Sequence, residues 1–341
     1  MRTKEETGFA AVLTAGETQP LRGIQDPQLR DDLERVRERS FTMVAAAAPL
    51  IREAAGSLIN NPGKMLRPAL VILAARYGHF DSEKILDLAA AVEMLHNATL
   101  VHDDIIDEAP LRRGNPALHA VYGNSKAVMM GDYLLSCSFT LAARSTSGTN
   151  GLALAHAVAR ICEGEVNQNA GRFGEDFSLR NYLRRIASKT AALFALSLAA
   201  GAREARVDEA SCSVFTRIGY NIGMAFQIID DVLDYTGDRE KTGKPLGRDL
   251  LEGIYTLPLL LALKEEGFEG DLFRKVGAKP YSEEEAAEIV SLVNRSGAIE
   301  KSRIMARTYT DRAFRELERL TAGYTRRILT DLVRQLVTRD R

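Results

Sequence analysis

The chain has 341 residues and 45 Lys plus Arg against 46 Asp plus Glu, so its formal charge of −1 favours neither a nucleic-acid nor a membrane-surface partner. Hydrophobic residues make up 45% but aromatics only 6%, with no Trp, a mix that favours helices around a sizeable core. Cys137, Cys162 and Cys212 are too widely spaced for a disulfide framework or a metal-ligand pattern, which points to the reducing cytoplasm, and no apolar run is long enough for a transmembrane segment.

Residues 1–25 mix Thr, Gly, Glu and Pro without period and read as a loose N-terminal arm without the order of a signal peptide. From Asp26 the pattern is helical, with Leu29, Leu33 and Val36 recurring at three and four, and 26–341 reads as a single domain. Met43 to Ile59 reads as one Ala-rich helix in which Pro49 marks a kink or a boundary. Asn60-Asn61-Pro62-Gly63 is a turn, followed by Lys64 and Arg67 at the start of the next helix, where unpaired N–H groups add to their attraction for an anion.

A helix capped by Asp81-Ser82 carries the stripe Leu88, Val92, Leu95 and Thr99, places Glu93 beside His96, and runs into Asp103-Asp104-x-x-Asp107. Four residues advance a helix by about 400°, so Asp103 and Asp107 share a face with Asp104 beside them. Arg112 and Arg113 follow directly. Beyond Gly114-Asn115-Pro116 come apolar helices near 123–143 and 152–170 and a loop at 171–177. A helix of small residues over 179–201 is interrupted by Ser188-Lys189-Thr190, where the lysine either snorkels to water or faces a polar cavity. The helix from Ser211 ends in a second acidic cluster of the same spacing, Asp230-Asp231-x-x-Asp234, preceded by Gln227. A Gly-rich flap with Lys241 and Lys244 follows, then an apolar helix over 250–265 and a helical tail opened by a capping box at Ser282 and Glu285. No segment alternates with period two, so the chain reads as all-α.

Clustered carboxylates repel one another by roughly 1 kcal/mol per pair at 4 Å in water, and more where water is excluded. A cation reverses that sign, and hard oxygen donors beside phosphate suit Mg²⁺. Two such clusters with seven interleaved Lys and Arg residues point to a phosphate-rich substrate, and the Leu, Ala and Val around them to an aliphatic organic part. There is no P-loop for a nucleotide. Glu93-x-x-His96 also raises a carboxylate-bridged di-iron bundle, but no second Glu-x-x-His pair exists among the five histidines.

Six motifs in order resemble those of the all-trans polyprenyl diphosphate synthases, the class I chain-elongating prenyltransferases, over about residues 30–340. They are Gly63-Lys64-x-x-Arg67-Pro68, Glu93-x-x-His96, Asp103-Asp104-x-x-Asp107 with Arg112-Arg113-Gly114, Lys189-Thr190, Phe226-Gln227-x-x-Asp230-Asp231-x-x-Asp234, and Gly243-Lys244-Pro245-x-Gly247-x-Asp249. The resemblance implies a large helical bundle of the isoprenoid-synthase type with a central active-site cavity. It implies Mg²⁺ held by Asp103, Asp104 and Asp107 on one side and by Asp230, Asp231 and Asp234 on the other. Arg112, Lys189, Thr190, Gln227 and Lys244 would contact the allylic diphosphate, and Lys64, Arg67, His96 and Arg113 isopentenyl diphosphate. Met65 stands where many relatives carry a third cation, and Pro62 where glycine is common.

In this family, bulky side chains one turn before the first cluster close the product tunnel. Ala98 and Thr99 are small, Met94 and Leu95 one turn deeper either stop the chain near geranylgeranyl length or line a longer tunnel, and Leu134, Leu135 and Phe139 are candidate neighbours, which favours a product of geranylgeranyl length or longer, hexaprenyl to octaprenyl above the rest. A terpene cyclase shares one aspartate-rich helix, but two intact clusters and the Lys64/Arg67 site argue against it. The resemblance implies a homodimer, with a catalytic subunit of a heteromeric synthase as the alternative.

Overall fold

The computed structural model describes residues 26–61, 63–144, 148–174, 176–237, 246–267, 269–277 and 280–337. The expected N-terminal arm, Pro62, Lys241 and Lys244 lie outside these residues. The described chain is helical apart from one two-residue antiparallel pairing, β1 (Leu111–Arg112) with β2 (Asn115–Pro116). The first helices are α1 (Pro27–Val44), α2 (Pro49–Asn60), α3 (Leu66–Ala75) and α4 (Ser82–Ile106). Then come α5 (Leu118–Tyr122), α6 (Asn124–Ala142), α7 (Gly148–Ala170) and α8 (Leu179–Ile186), a π-helical turn over Ala187–Ala191, α9 (Ala192–Glu204) and α10 (Glu209–Thr236). The remainder is α11 (Arg248–Leu251), α12 (Leu257–Ala262), α13 (Glu269–Lys275), α14 (Glu283–Arg295), α15 (Ala298–Glu318) and α16 (Tyr324–Val337).

Local chemistry sets most boundaries. Asp26 caps α1 by accepting from Leu29 N at 2.7 Å, and Asp208 caps α10 by accepting from Ser211 N at 2.9 Å. Pro49 opens α2 at a position where its missing N–H costs nothing, so it is a boundary and not a kink. The capping box of Ser282 and Glu285 opens α14 as expected. The single apolar helix expected over 250–265 is two, because Gly253 takes φ 74° and Pro258 sits in the first turn of α12. The stripe expected on α4 is also too narrow: Ile85 through Leu95 are all buried, since this helix is packed on every side.

Helix α4 packs against α6, α3, α1 and α9, while α10 packs against α9 and α15. Two apolar cores result, and α10 belongs to both. Val214, Phe215, Ile218 and Ile222 join the first core with α1, α3, α4 and α6. Ile228, Ile229, Val232 and Tyr235 join the second with α12, α14 and α15. Both acidic clusters therefore end long helices that are anchored along their length by buried side chains, each worth about 1.5–3 kcal/mol.

Candidate active site

The first cluster lies where α4 stops. Asp107 terminates the helix, its N–H bonding Asp103 O at 2.8 Å, and Glu108 at φ 47° turns the chain away before Pro110. The β1–β2 hairpin then folds back, so Arg112 Nε donates to Asp104 Oδ1 at 2.8 Å and Oδ2 at 3.1 Å. Asp104 is buried, and this forked contact is the pairing that buried carboxylates require. Asp103 points into dry surroundings that push its carboxyl up to about 7, with Lys189 opposing the shift and Glu165 and Asp107 adding to it.

The π-helical turn positions Lys189 and Thr190. An inserted residue of this kind re-aims side chains within an otherwise regular helix. Lys189 Nζ lies 2.6 Å from Glu165, and its positive charge is reinforced by Asp103 and Asp107, so it faces a polar cavity instead of snorkelling. Gly219, Gly223 and Gln227 share one face of α10. A Cβ on Gly219 would lie 2.5 Å from Phe194 O, and one on Gly223 2.5 Å from Ala191 Cα. The two glycines let α10 lie directly on α9 and the π turn, which delivers Gln227 to Thr190.

Thr190 Oγ1 donates to Gln227 Oε1 at 2.6 Å, Gln227 Nε2 donates to Asp231 Oδ1 at 2.9 Å, and Tyr182 OH donates to Asp231 Oδ2 at 2.6 Å. Asp234 accepts from the N–H groups of Arg248 at 3.1 Å and Asp249 at 3.3 Å, fixing the start of α11 against the end of α10. Burial still holds its carboxyl up at about 6, with Asp231 and Glu252 adding to the shift. Asp230 is half-buried on the neighbouring face, and its charge is felt at Arg67. A cavity of about 100 Å³ is lined by Asp107, Lys189, Thr190, Gln227 and Asp231, five of the residues singled out in the sequence.

A cationic site stands on the other flank of α4. Arg67 is half-buried, its guanidinium 4.9 Å from the Phe194 ring centroid, and its Nη1 meets His96 Nε2 at 3.0 Å. Arginine has only donors, so His96 Nε2 accepts and the ring is neutral with its proton on Nδ1. Burial and the charges of Arg67, Arg113 and Arg112 hold the imidazole well below its ordinary value. Glu93 is buried nearby and pushed up to about 7 by burial, against the pull of Arg67 and Arg113. Arg113 Nη1 donates to Asn61 O at 2.5 Å, and a Cβ on Gly63 would lie 2.7 Å from its Cζ, so this guanidinium seals the turn that presents Lys64. Met65 is buried, with φ 49° at the start of α3.

Met94, Leu95 and Ala98 are buried in the first core with Leu134 and Leu141, and Thr99 is half-buried with its hydroxyl on His96 O at 2.8 Å. Phe139, a candidate floor residue, is turned outward and 37% exposed, so it belongs to the outer surface of α6.

Sequence reasoning missed several residues. Arg172, in the turn after α7, pairs with Asp107. Glu165 pairs with Lys189, Tyr182 holds Asp231, and Arg185 Nη2 donates to Tyr255 O at 2.7 Å while facing Asp231 and Asp249. Two signals were present: Glu165 lies one turn after Ile161 on a helix already read as apolar, and Tyr182 and Arg185 stand seven and four residues before Lys189.

The donor set fits a hard divalent cation: carboxylates only, two of them raised by burial and like charge, which a metal would relieve. Among the described residues, no three acidic, His or Cys side chains already converge on one point. Guanidinium groups, amides and backbone N–H groups hold their oxygens instead.

Comparison with known proteins agrees with this layout. The chain is 40% identical over 312 residues to heptaprenyl diphosphate synthase component 2 of Geobacillus stearothermophilus, covering 92% of this chain and 97% of that protein. The crystal structure of heptaprenyl diphosphate synthase from Staphylococcus aureus superposes with a TM-score of 0.88 at 30% identity, covering 92% of this chain and 99% of that one. Polyprenyl synthase from Caulobacter crescentus, solved with calcium and isoprenyl diphosphate, superposes with a TM-score of 0.86 at 36% identity, covering 92% and 96%. The polyprenyl synthetase family model matches residues 48–293, and with both acidic helix ends and the cationic flank in place, the chain belongs to the polyprenyl synthetase family.

Proposed function

We propose that this chain is a trans-polyprenyl diphosphate synthase that condenses isopentenyl diphosphate with an allylic diphosphate and releases diphosphate. The observation that carries this reading is the pairing of two acidic helix ends with two separate cationic sites, one at Arg112, Lys189 and Gln227 and the other at Arg67, His96 and Arg113. Bound by Asp103, Asp104, Asp107, Asp230, Asp231 and Asp234, Mg²⁺ supplies Lewis-acid charge to a departing diphosphate. The Caulobacter structure, solved with calcium and isoprenyl diphosphate, supports a divalent metal in that role.

In this reading Arg112, Lys189, Gln227 and Lys244 hold the allylic diphosphate, with Thr190 fixing Gln227. The charges of Arg112 and Lys189 favour the diphosphate more as negative charge builds on it during C–O cleavage. Lys64, Arg67 and Arg113 bind the second diphosphate, and neutral His96 keeps the Arg67 fork aimed. Loss of the first diphosphate leaves an allylic carbocation. The alkene of isopentenyl diphosphate attacks it, a new C–C bond forms, and a proton is lost to the released diphosphate. No side-chain nucleophile is needed.

The small Ala98 and Thr99 favour a product beyond farnesyl length, hexaprenyl to octaprenyl, and the names of the heptaprenyl relatives support this range. No helix among the described residues is long and apolar enough to cross a membrane, and the free cysteines support a cytoplasmic location. A second reading concerns assembly. The name "component 2" carried by two relatives favours a catalytic subunit that works with an unlike partner over the homodimer. Incubation of the purified chain with Mg²⁺, labelled isopentenyl diphosphate and farnesyl diphosphate tests both readings. A product ladder ending at a defined carbon number supports the homomeric enzyme. Activity that appears only when the partner component is added supports the heteromer, and none under either condition overturns the proposal.

A further inference from the structure

The turn after α7 carries no motif, yet it touches the first acidic helix end and the segment that flanks the second. On one side, Arg172 Nη2 donates to Asp107 Oδ1, with both side chains only 19% exposed. On the other, Phe173 N donates to Gly253 O at 3.0 Å. The Phe173 ring lies against Gly253 so closely that a Cβ there would fall 2.6 Å from it, and it packs on the second core with the Tyr281 ring 6.1 Å away between centroids. Gly253 directly follows α11, whose first N–H groups bind Asp234. Phe173 itself stands at φ 55°, a left-handed conformation that a bulky residue adopts only when its surroundings impose it. The turn is therefore held by packing on the second cluster's flank while it presents a cation to the first.

That cation has a consequence for metal binding. A carboxylate oxygen that accepts from a guanidinium must exchange partners before it can ligate a metal. We propose that Arg172 is an internal counter-ion of the first acidic cluster. It occupies Asp107 until divalent metal and diphosphate arrive, and its placement is governed by the Phe173–Gly253 contact with the loop that flanks the second cluster. The proposal rests on reading the two clusters as a metal–diphosphate site. It makes the α7–α8 turn a physical link between them: filling the first cluster expels Arg172, and the turn that carries it is fastened beside Asp234. A guanidinium that merely braced the fold would leave metal affinity unchanged, and one that gripped the diphosphate would raise it.

The test is a Mn²⁺ titration of the full chain in the presence of inorganic diphosphate, read by the electron paramagnetic resonance of free Mn²⁺. Removing a competing, partly exposed ion pair is expected to tighten Mn²⁺ binding by on the order of fivefold in Arg172→Gln. Arg172→Lys, which keeps the charge, should stay near wild type. Equal or weaker binding by a folded Arg172→Gln protein overturns the proposal. Phe173→Gly keeps the arginine but loosens its hold, and carries the test where Arg172→Gln does not fold: tighter binding supports the proposal, unchanged binding overturns it. No Mn²⁺ uptake by the wild-type protein overturns the metal reading of the site itself, and the counter-ion with it.

Discussion

Asp103 and Glu93 are both carboxyl groups pushed up to about 7, but they sit in different company. Asp103 gathers further acid, Glu165 and Asp107, opposed by Lys189. Replacing it by Asn should lower kcat on the order of 10²- to 10³-fold, as removal of one preorganised electrostatic partner does, with an unchanged circular dichroism spectrum; incorporation of labelled isopentenyl diphosphate measures it. Glu93 is itself buried, beside the charges of Arg67 and Arg113, and its consequence is for stability. Its ordinary value is 4.5, so between about pH 4.5 and 7 the folded state binds more protons than the unfolded one, and stability falls as pH rises through that window. Below it both states are protonated, and the effect vanishes. Glu93→Gln should therefore lose fewer degrees of Tm between pH 5 and pH 7.5 than wild type, as differential scanning fluorimetry can show. The sequence marked both carboxylates by spacing, but only the packed environment separates an acid set among further acids from one set beside arginines.

At the scale of elements, the site depends on how closely α9 and α10 approach. Gly219 and Gly223 let the two helices touch backbone to backbone, and Gln227 sits one further turn along the same face. Gly219→Ala would place a methyl group 2.5 Å from Phe194 O, so the helices must separate. An overpacked contact of this kind costs about 1–3 kcal/mol, measurable as a lower urea midpoint. The Thr190–Gln227 bond should suffer with it, giving a higher KM for the allylic substrate. The sequence showed the small-residue helix interrupted at Ser188-Lys189-Thr190, and the interruption is the π turn. It did not show that α12 starts afresh at Leu257, because an apolar run with one proline is consistent with either a kinked helix or a new one.

For the whole molecule, the quantity at stake is the room beneath the first cluster. Met94, Leu95 and Ala98 face the first core from α4, and Leu134 meets them from α6. Ala98→Phe should shorten the product towards farnesyl or geranylgeranyl length, because the ring would fill the first turn of about 5.4 Å below Asp103. Chromatography of the dephosphorylated products by carbon number decides it: an unchanged ladder would show that α4 does not set the floor. Phe139 offers a contrast, since at 37% exposure its replacement by Ala should leave the length unaltered.

By itself, the sequence determined the all-α architecture, because helical periodicity and caps are local patterns that survive in one dimension, and its six ordered motifs carried the resemblance to the family. Asp103, Asp104, Asp107, Arg67, His96, Lys189 and Gln227 were all legible in this way. Only the tertiary structure decided which groups are partners. Arg172 reaches Asp107 across 65 positions, Arg67 reaches His96 across 29, and Tyr182 reaches Asp231 across 49. Contacts of this range depend on which helix faces pack together and how closely. That is set by burial and by glycines at crossings, and no spacing along the chain records it.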